Sequence, residues 1–252
     1  IMNEQGNKKL SKRDGAKDIL AYREEGYLPD AMLNFLASLG WNDGTEQEVF
    51  TRDELIEKFS LKRVQKSGAR FDEKRLLWLN GAHIRNIPVD KLYDYVSPWD
   101  DNPQKDGGQT GFWPESAYAP NITKEYRMKV LALAQDRLKM FEDLRGFGYF
   151  FAEPEINLEL IDGNKQLKKL SENERRKLLE TARHELAKLT DWTPESIQNC
   201  LNKLLETTGQ KPGILFSLIR IAVTWAPFSP QLNDTLALIG REHTMARLQN
   251  SI

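Results

Sequence analysis

Lys9-Leu10-Ser11-Lys12-Arg13, running into Asp14-Gly15-Ala16, sets two lysines three residues apart with a hydroxyl between them. On a loop, such ammonium groups and a hydroxyl can converge on a polyphosphate and stabilise the charge that develops on a leaving pyrophosphate. The same five residues also make an ordinary basic tail, and the short pattern alone does not separate the two. Other chemistry is scarce. The three histidines, His83, His184 and His243, stand far apart with no motif around them and read as surface or helix-end residues. No GxxxxGK[ST], GxGxxG or HExxH run is present, and Gly107-Gly108 with Gly111 sits among Pro and Asp, which reads as a loop. Cys200 is the single cysteine, which excludes an intramolecular disulfide, and one Cys with three His leaves little for a zinc cluster. The expectation is no metal site and no complete catalytic site.

The 252 residues allow one large domain or two to three small ones. Lys plus Arg is 36 and Asp plus Glu is 37, for a net charge of -1, so a strongly basic protein is excluded and nucleic-acid binding would need local patches. Two patches are candidates: residues 1–23 carry a net +3 and residues 163–189 a net +4. With the total near neutral, other stretches are acidic and the charge is polarised. No apolar run approaches a membrane span and no signal peptide is visible, so the expectation is a cytoplasmic protein with no membrane contact.

The elements that must carry these groups read as helices. Asp30 follows Pro29, and Met32, Leu33, Phe35, Leu36 and Leu39 then recur at helical spacing up to Gly40. Thr51-Arg52-Asp53-Glu54 and Ser171-Glu172-Asn173-Glu174 are capping boxes. Leu55, Ile56 and Phe59 read as the buried side of the helix after the first box, and Asp72 caps the next, with Gly81 arguing against one unbroken helix there. Turn formers dominate residues 97–120, the best candidate for a boundary or long connection. Periodicity resumes at Thr123 and continues through Phe141, Leu144, Phe147 and Phe150. Thr193-Pro194 opens a helix that Gly209 ends, and Gly240 precedes a short terminal helix. No convincing strand alternation appears, so the fold class is all-α, with about a dozen helices.

Taken with its surroundings, the basic pentapeptide becomes specific. Lys9-Leu10-Ser11-Lys12-Arg13 resembles the KMSKS signature of class I aminoacyl-tRNA synthetases, in the form found in glutamyl-tRNA synthetases. Gly26 through Leu36, Leu39-Gly40-Trp41, Phe71-Asp72 through Leu76, Trp78-Leu79-Asn80-Gly81 and Ile84-Arg85 are similar to the segments that follow that loop in the family. Leu218 through Thr224, Ser229-Pro230-Gln231-Leu232 and Leu236 through Glu242 resemble its closing module.

The resemblance implies a helical stem-contact region followed by an α-helical anticodon-binding cage, with the Rossmann catalytic domain and its HIGH motif absent from this stretch. The division it suggests is residues 1–14 as a remnant of the catalytic domain, 15–98 as stem-contact domain, and 99–156 and 157–252 as two anticodon-binding subdomains. The parent reaction would activate glutamate with ATP and Mg2+ and transfer it to tRNA(Glu). Lys9, Ser11, Lys12 and Arg13 match the residues aimed at ATP phosphates; without a Rossmann sheet the chain alone is expected to bind no ATP and to charge no tRNA. Arg137 falls where the family has an arginine reading the anticodon, although Asp136 stands where Pro often precedes it. Arg220 matches a second arginine that stacks on an anticodon base, and Ser229, Pro230 and Leu232 match the loop lining the base pockets. Trp225 departs from the usual Gly after Thr224; it can fill space or offer a stacking face. The expected partner is tRNA(Glu), bound by a monomer. A free-standing tRNA-binding module without catalysis and a helical protein–protein scaffold remain alternatives.

Overall fold

The computed structural model describes residues 1–251 except 4, 12–16, 67 and 98–110. Among the described residues no strand forms, and the isolated bridges pair Met2 with Lys9 and with Arg70. The fold is all-α, as its periodicity indicates. Its contacts divide the chain into two compact units, Ile1–Trp113 with Gln135–Arg145, and Pro114–Ala134 with Gly146–Ile252.

The first unit contains α1 (Ile19–Glu24), α2 (Pro29–Ser38), α3 (Arg52–Lys58), α4 (Glu73–Arg85) and α5 (Val89–Val96). Helix α2 packs on α4, joining Met32 and Phe35 to Leu76 and Leu79 in one core with Tyr22 and Tyr27. Leu33 and Leu36 face outward, because an apolar run longer than the buried stripe must leave some members on the far side. The capping box forms as expected, with Thr51 Oγ1 accepting from Glu54 N and Glu54 Oε2 accepting from Thr51 N. The face it opens is narrower than the sequence suggests. Leu55 is buried with Trp41 and Phe50, while Ile56 is 74% and Phe59 43% exposed. One residue turns an α-helix by about 100°, so Ile56 cannot share the side of Leu55.

Helix α4, capped by the Asp72 carboxylate at Lys74 N and Arg75 N, runs unbroken through Gly81. A Cβ on Gly81 would lie 3.1 Å from the Leu138 carbonyl oxygen and 3.4 Å from Lys139 Cα. Gly26, at φ +88°, does the same job on the loop before α2: a Cβ there would come within 2.5 Å of Phe141 Cβ. These two glycines make room for the segment 135–145.

The second unit contains α6 (Lys124–Ala134), α7 (Glu159–Asp162), α8 (Glu172–Ala187), α9 (Pro194–Thr208), α10 (Pro212–Thr224), α11 (Leu232–Ile239) and α12 (Arg241–Asn250). Helix α9 packs on α8 and α11, and α12 packs on α8, α10 and α11. Leu186, Leu201, Leu215, Leu218 and Leu236 are fully buried between them. Ser171 and Glu174 form the second capping box, and Gly209 ends α9 in the left-handed region at φ +63°. Residues 141–150 are a kinked 3-10 stretch, with Phe147 at φ -102°, ψ 20°. The strict spacing of three in Phe141, Leu144, Phe147 and Phe150 suits a 3-10 helix, whose side chains eclipse every third residue.

Candidate nucleic-acid interface

Arg137 ends a short 3-10 turn, Gln135–Arg137, in the first unit. The turn is seated by buried polar groups. Gln135 Nε2 donates to the carbonyls of Ile84 at 2.8 Å and Ile87 at 2.7 Å. These carbonyls lie at the end of α4, where helical partners run out. Asn80, fully buried, donates from Nδ2 to the Lys139 carbonyl at 2.6 Å and accepts from Leu28 N at 2.8 Å. Gly81 lets the 138–139 backbone approach. The Arg137 side chain is exposed. A guanidinium on a braced turn keeps its planar fork of donors for a partner, and that fork suits an unpaired base edge. Asp136 is exposed on the same turn and is accommodated there without a proline.

Arg220, Ser229, Pro230 and Leu232 all lie in the second unit, and hydrogen bonds join the first three. Arg220 lies half-buried on α10, one turn before its end, and its Nε donates to Ser229 Oγ at 2.9 Å. Ser229 in turn donates to the Pro230 carbonyl at 2.9 Å, so this buried hydroxyl orients the guanidinium by using both of its hydrogen-bond roles. Pro230 and Leu232 are buried beside it at the start of α11. Trp225 takes φ 43°, ψ 37° as the C-cap of α10 and is the only non-glycine residue with positive φ among the described residues. This accounts for the glycine expected there. The chain must turn left-handed after Thr224, and an L side chain is strained by about 1–2 kcal/mol in that conformation.

Arg247, which the sequence reading passed over, braces the end of α10 from behind. It is 5% exposed, donating to the carbonyls of Tyr149 at 2.9 Å, Val223 at 3.2 Å and Ala152 at 3.1 Å, and to Glu153 Oε2 at 3.0 Å. Burial pushes the Glu153 carboxyl up, but hydrogen bonds and charge from Arg247, with His243 Nδ1 at 3.0 Å, more than offset this and hold it below the usual carboxylate range. The signal was present in the sequence: Thr244, Arg247, Leu248 and Ser251 share one helical stripe, and an arginine on a buried stripe must be paired. Gln135 carried no such signal.

The opening residues are anchored by backbone hydrogen bonds and do not form a loose basic tail over the described part. Met2 N donates to the Ala69 carbonyl at 2.8 Å, Phe71 N to the Met2 carbonyl at 3.0 Å, and Leu10 N to the Ile1 carbonyl at 2.9 Å. Lys9 therefore sits on a held backbone with an exposed side chain, and Ser11 follows it. Lys12 and Arg13 lie outside the described residues. Two histidines have structural neighbours: His83, in the last turn of α4, places Nε2 3.1 Å from Asn34 Oδ1, and His243 pairs with Glu153. Burial lowers the His83 pKa, with Asp30 opposing that shift. No group of three or more potential metal ligands occurs among the described residues, and none of their helices is long and apolar enough to cross a membrane.

Two family models match. The anticodon binding domain covers residues 91–252, and the catalytic domain of class I tRNA synthetases (E and Q) covers residues 1–78. The glutamate–tRNA ligase 1 of Alkalilimnicola ehrlichii is 36% identical over all of this chain and 49% of its own length. The glutamate–tRNA ligase of Roseiflexus castenholzii is also 36% identical, over all of this chain and 48% of its own length. The chain spans about half the length of the curated relatives it matches. Among solved structures, a glutamate tRNA ligase from Elizabethkingia meningosepticum, in complex with its amino acid, matches the whole chain and 49% of its own at 25% identity and a TM-score of 0.72. The glutamate-tRNA synthetase of Elizabethkingia anophelis matches the same shares at 25% and 0.70. With a helical fold and the first of these models covering most of its residues, the chain belongs to the anticodon-binding-domain family, and along its whole length it is similar to glutamate–tRNA ligases.

Proposed function

We propose that this chain recognises the anticodon loop of tRNA(Glu) within a glutamate–tRNA ligase that activates glutamate with ATP and transfers it to that tRNA. The observation that carries the reading is the Arg220–Ser229 hydrogen bond at 2.9 Å, which ties a half-buried guanidinium to the connection that carries buried Pro230 and leads into Leu232. A guanidinium plane held this way stacks on an unpaired base, and apolar walls exclude water from the contact. Arg137 supplies a second, fully presented fork for base edges. Lys9, Ser11, Lys12 and Arg13 act on the phosphates of the substrate ATP, whose Mg2+ arrives with it. On this reading the protein works in the cytoplasm as a monomer.

The test is binding of tRNA(Glu) and of a tRNA with an unrelated anticodon, followed across a salt titration. Affinity should fall as salt rises, because phosphate contacts release counterions. Arg137→Ala should weaken tRNA(Glu) by about 5- to 140-fold, the range for loss of one base-reading arginine, and the unrelated tRNA much less. Equal losses would reassign Arg137 to non-specific contact. Binding that ignores both salt and anticodon would favour a protein–protein scaffold.

A further inference from the structure

Ala226, Ser229 and Pro230 of the α10–α11 connection are buried, yet Phe228 between them is 45% exposed. A single exposed Phe is ordinary on a protein surface. This one differs in that its ring is fixed. It stands edge-on to Phe147, with centroids 5.8 Å apart and planes at 74°. Phe147 is itself fully buried, so the brace belongs to the core. The ring tip also lies over Gly146, where an added Cβ would come within 3.3 Å of it. The residue following Phe228 is the serine that orients Arg220. An aromatic face held rigidly, open to water and one residue from a guanidinium anchor is the arrangement that captures single-stranded nucleic acid, because every base has a π-face to offer.

Resting on the anticodon reading above, we propose that Phe228 is a base-stacking residue of the Arg220 site, contributing affinity without base identity while Arg137 discriminates. The ligand chemistry is an unpaired nucleobase of the tRNA anticodon loop. Stacking by one aromatic ring sets the expected effect at about 5- to 140-fold in affinity.

The experiment measures binding of a tRNA(Glu) anticodon stem-loop to the full chain, with 2-aminopurine placed at each loop position in turn. Wild-type protein should change the fluorescence at one position, through stacking on the ring. Phe228→Ala should abolish that change and weaken binding by the stated factor, and Phe228→Leu should do nearly the same. Phe228→Tyr, which keeps the π-face, should bind within about twofold of wild type, since stacking needs only the ring. Substituting other bases at the stacked position should alter the Phe228→Ala loss little. Wild-type affinity in Phe228→Leu, or no position responding in wild type that still binds, would overturn the stacking role while leaving the anticodon reading intact. Failure of wild type to prefer the tRNA(Glu) stem-loop over an unrelated one would overturn both.

Discussion

Gln135→Met tests whether the seat of Arg137 is built as described. Methionine keeps the length and most of the volume of glutamine but has no donor. The two hydrogen bonds from Nε2, at 2.8 and 2.7 Å, therefore disappear without a cavity being opened. The Ile87 carbonyl then loses this partner just past the end of α4, and the Ile84 carbonyl keeps only the Ile87 N–H at 3.2 Å. Each net hydrogen bond is worth about 1 kcal/mol, and a buried group left unsatisfied costs about 1–3 kcal/mol, so the pair gives about 2–4 kcal/mol. For a chain of this length that is a fall in Tm of about 4–16 °C. Thermal unfolding followed by circular dichroism reads the stability, and tRNA binding well below the transition reads the function. The turn that carries Arg137 is loosened, so affinity should fall even where the protein is folded. Arg137→Ala is the complementary variant, with Tm within about 1–2 °C of wild type, as expected of an exposed surface change, and affinity lost. A Gln135→Met protein with unchanged Tm, or an Arg137→Ala protein that melts early, would show that the bracing has been assigned to the wrong residue.

Two further outcomes follow from the second unit. Trp225→Gly and Trp225→Ala both remove the indole, but only glycine relieves the left-handed backbone at φ 43°; the Gly variant should be more stable than the Ala variant by about 1 kcal/mol in urea unfolding, and equal midpoints would mean the strain lies elsewhere. Glu153 is held below its ordinary value of 4.5, so the unfolded chain binds this proton first as pH drops. Its contribution is complete above that value and is lost as pH falls through the lower, folded one. Glu153→Gln should show a shallower decline of stability below about pH 4.5 than wild type, by a modest amount since the carboxylate is half-exposed. Identical slopes would remove Glu153 from the acid response.

Much of the fold was legible because it rests on local rules. The two capping boxes, the Asp72 cap, the Thr193-Pro194 start and the Gly209 and Gly240 stops all stand where hydrogen-bond satisfaction and backbone freedom put them. What periodicity misjudged was how much of an apolar stripe is covered. Leu33, Leu36 and Ile56 are apolar at plausible spacing yet exposed, since spacing gives the angle around a helix and not the width of what packs there. Gly81 was misjudged in the opposite direction. As a helix residue it is a weakness of about 1 kcal/mol against alanine, and as a contact it is what lets the 138–139 backbone reach α4. The arginines at 137 and 220 were singled out by resemblance alone, because an exposed or half-buried arginine looks in sequence like any other.

The groups that brace the two arginines have a common physical form. Gln135, Asn80, Ser229 and Arg247 are buried polar side chains, and each bonds backbone carbonyls or a partner at a helix end. A hydrophobic contact would hold these segments as firmly but would tolerate sliding, because burial is non-directional. A hydrogen bond to a carbonyl at a helix terminus is satisfied over a narrow range of distance and angle, and leaving it unmade inside the protein is costly. On the proposed function, placement of a guanidinium to within a fraction of an ångström calls for that directionality, since a fork reading a base edge would lose its second bond with a small tilt. The same requirement explains why the bracing residues are hard to see beforehand. Gln135 and Asn80 are polar residues on helices, a type that usually points to water, and only the fold reveals that they point to carbonyls instead.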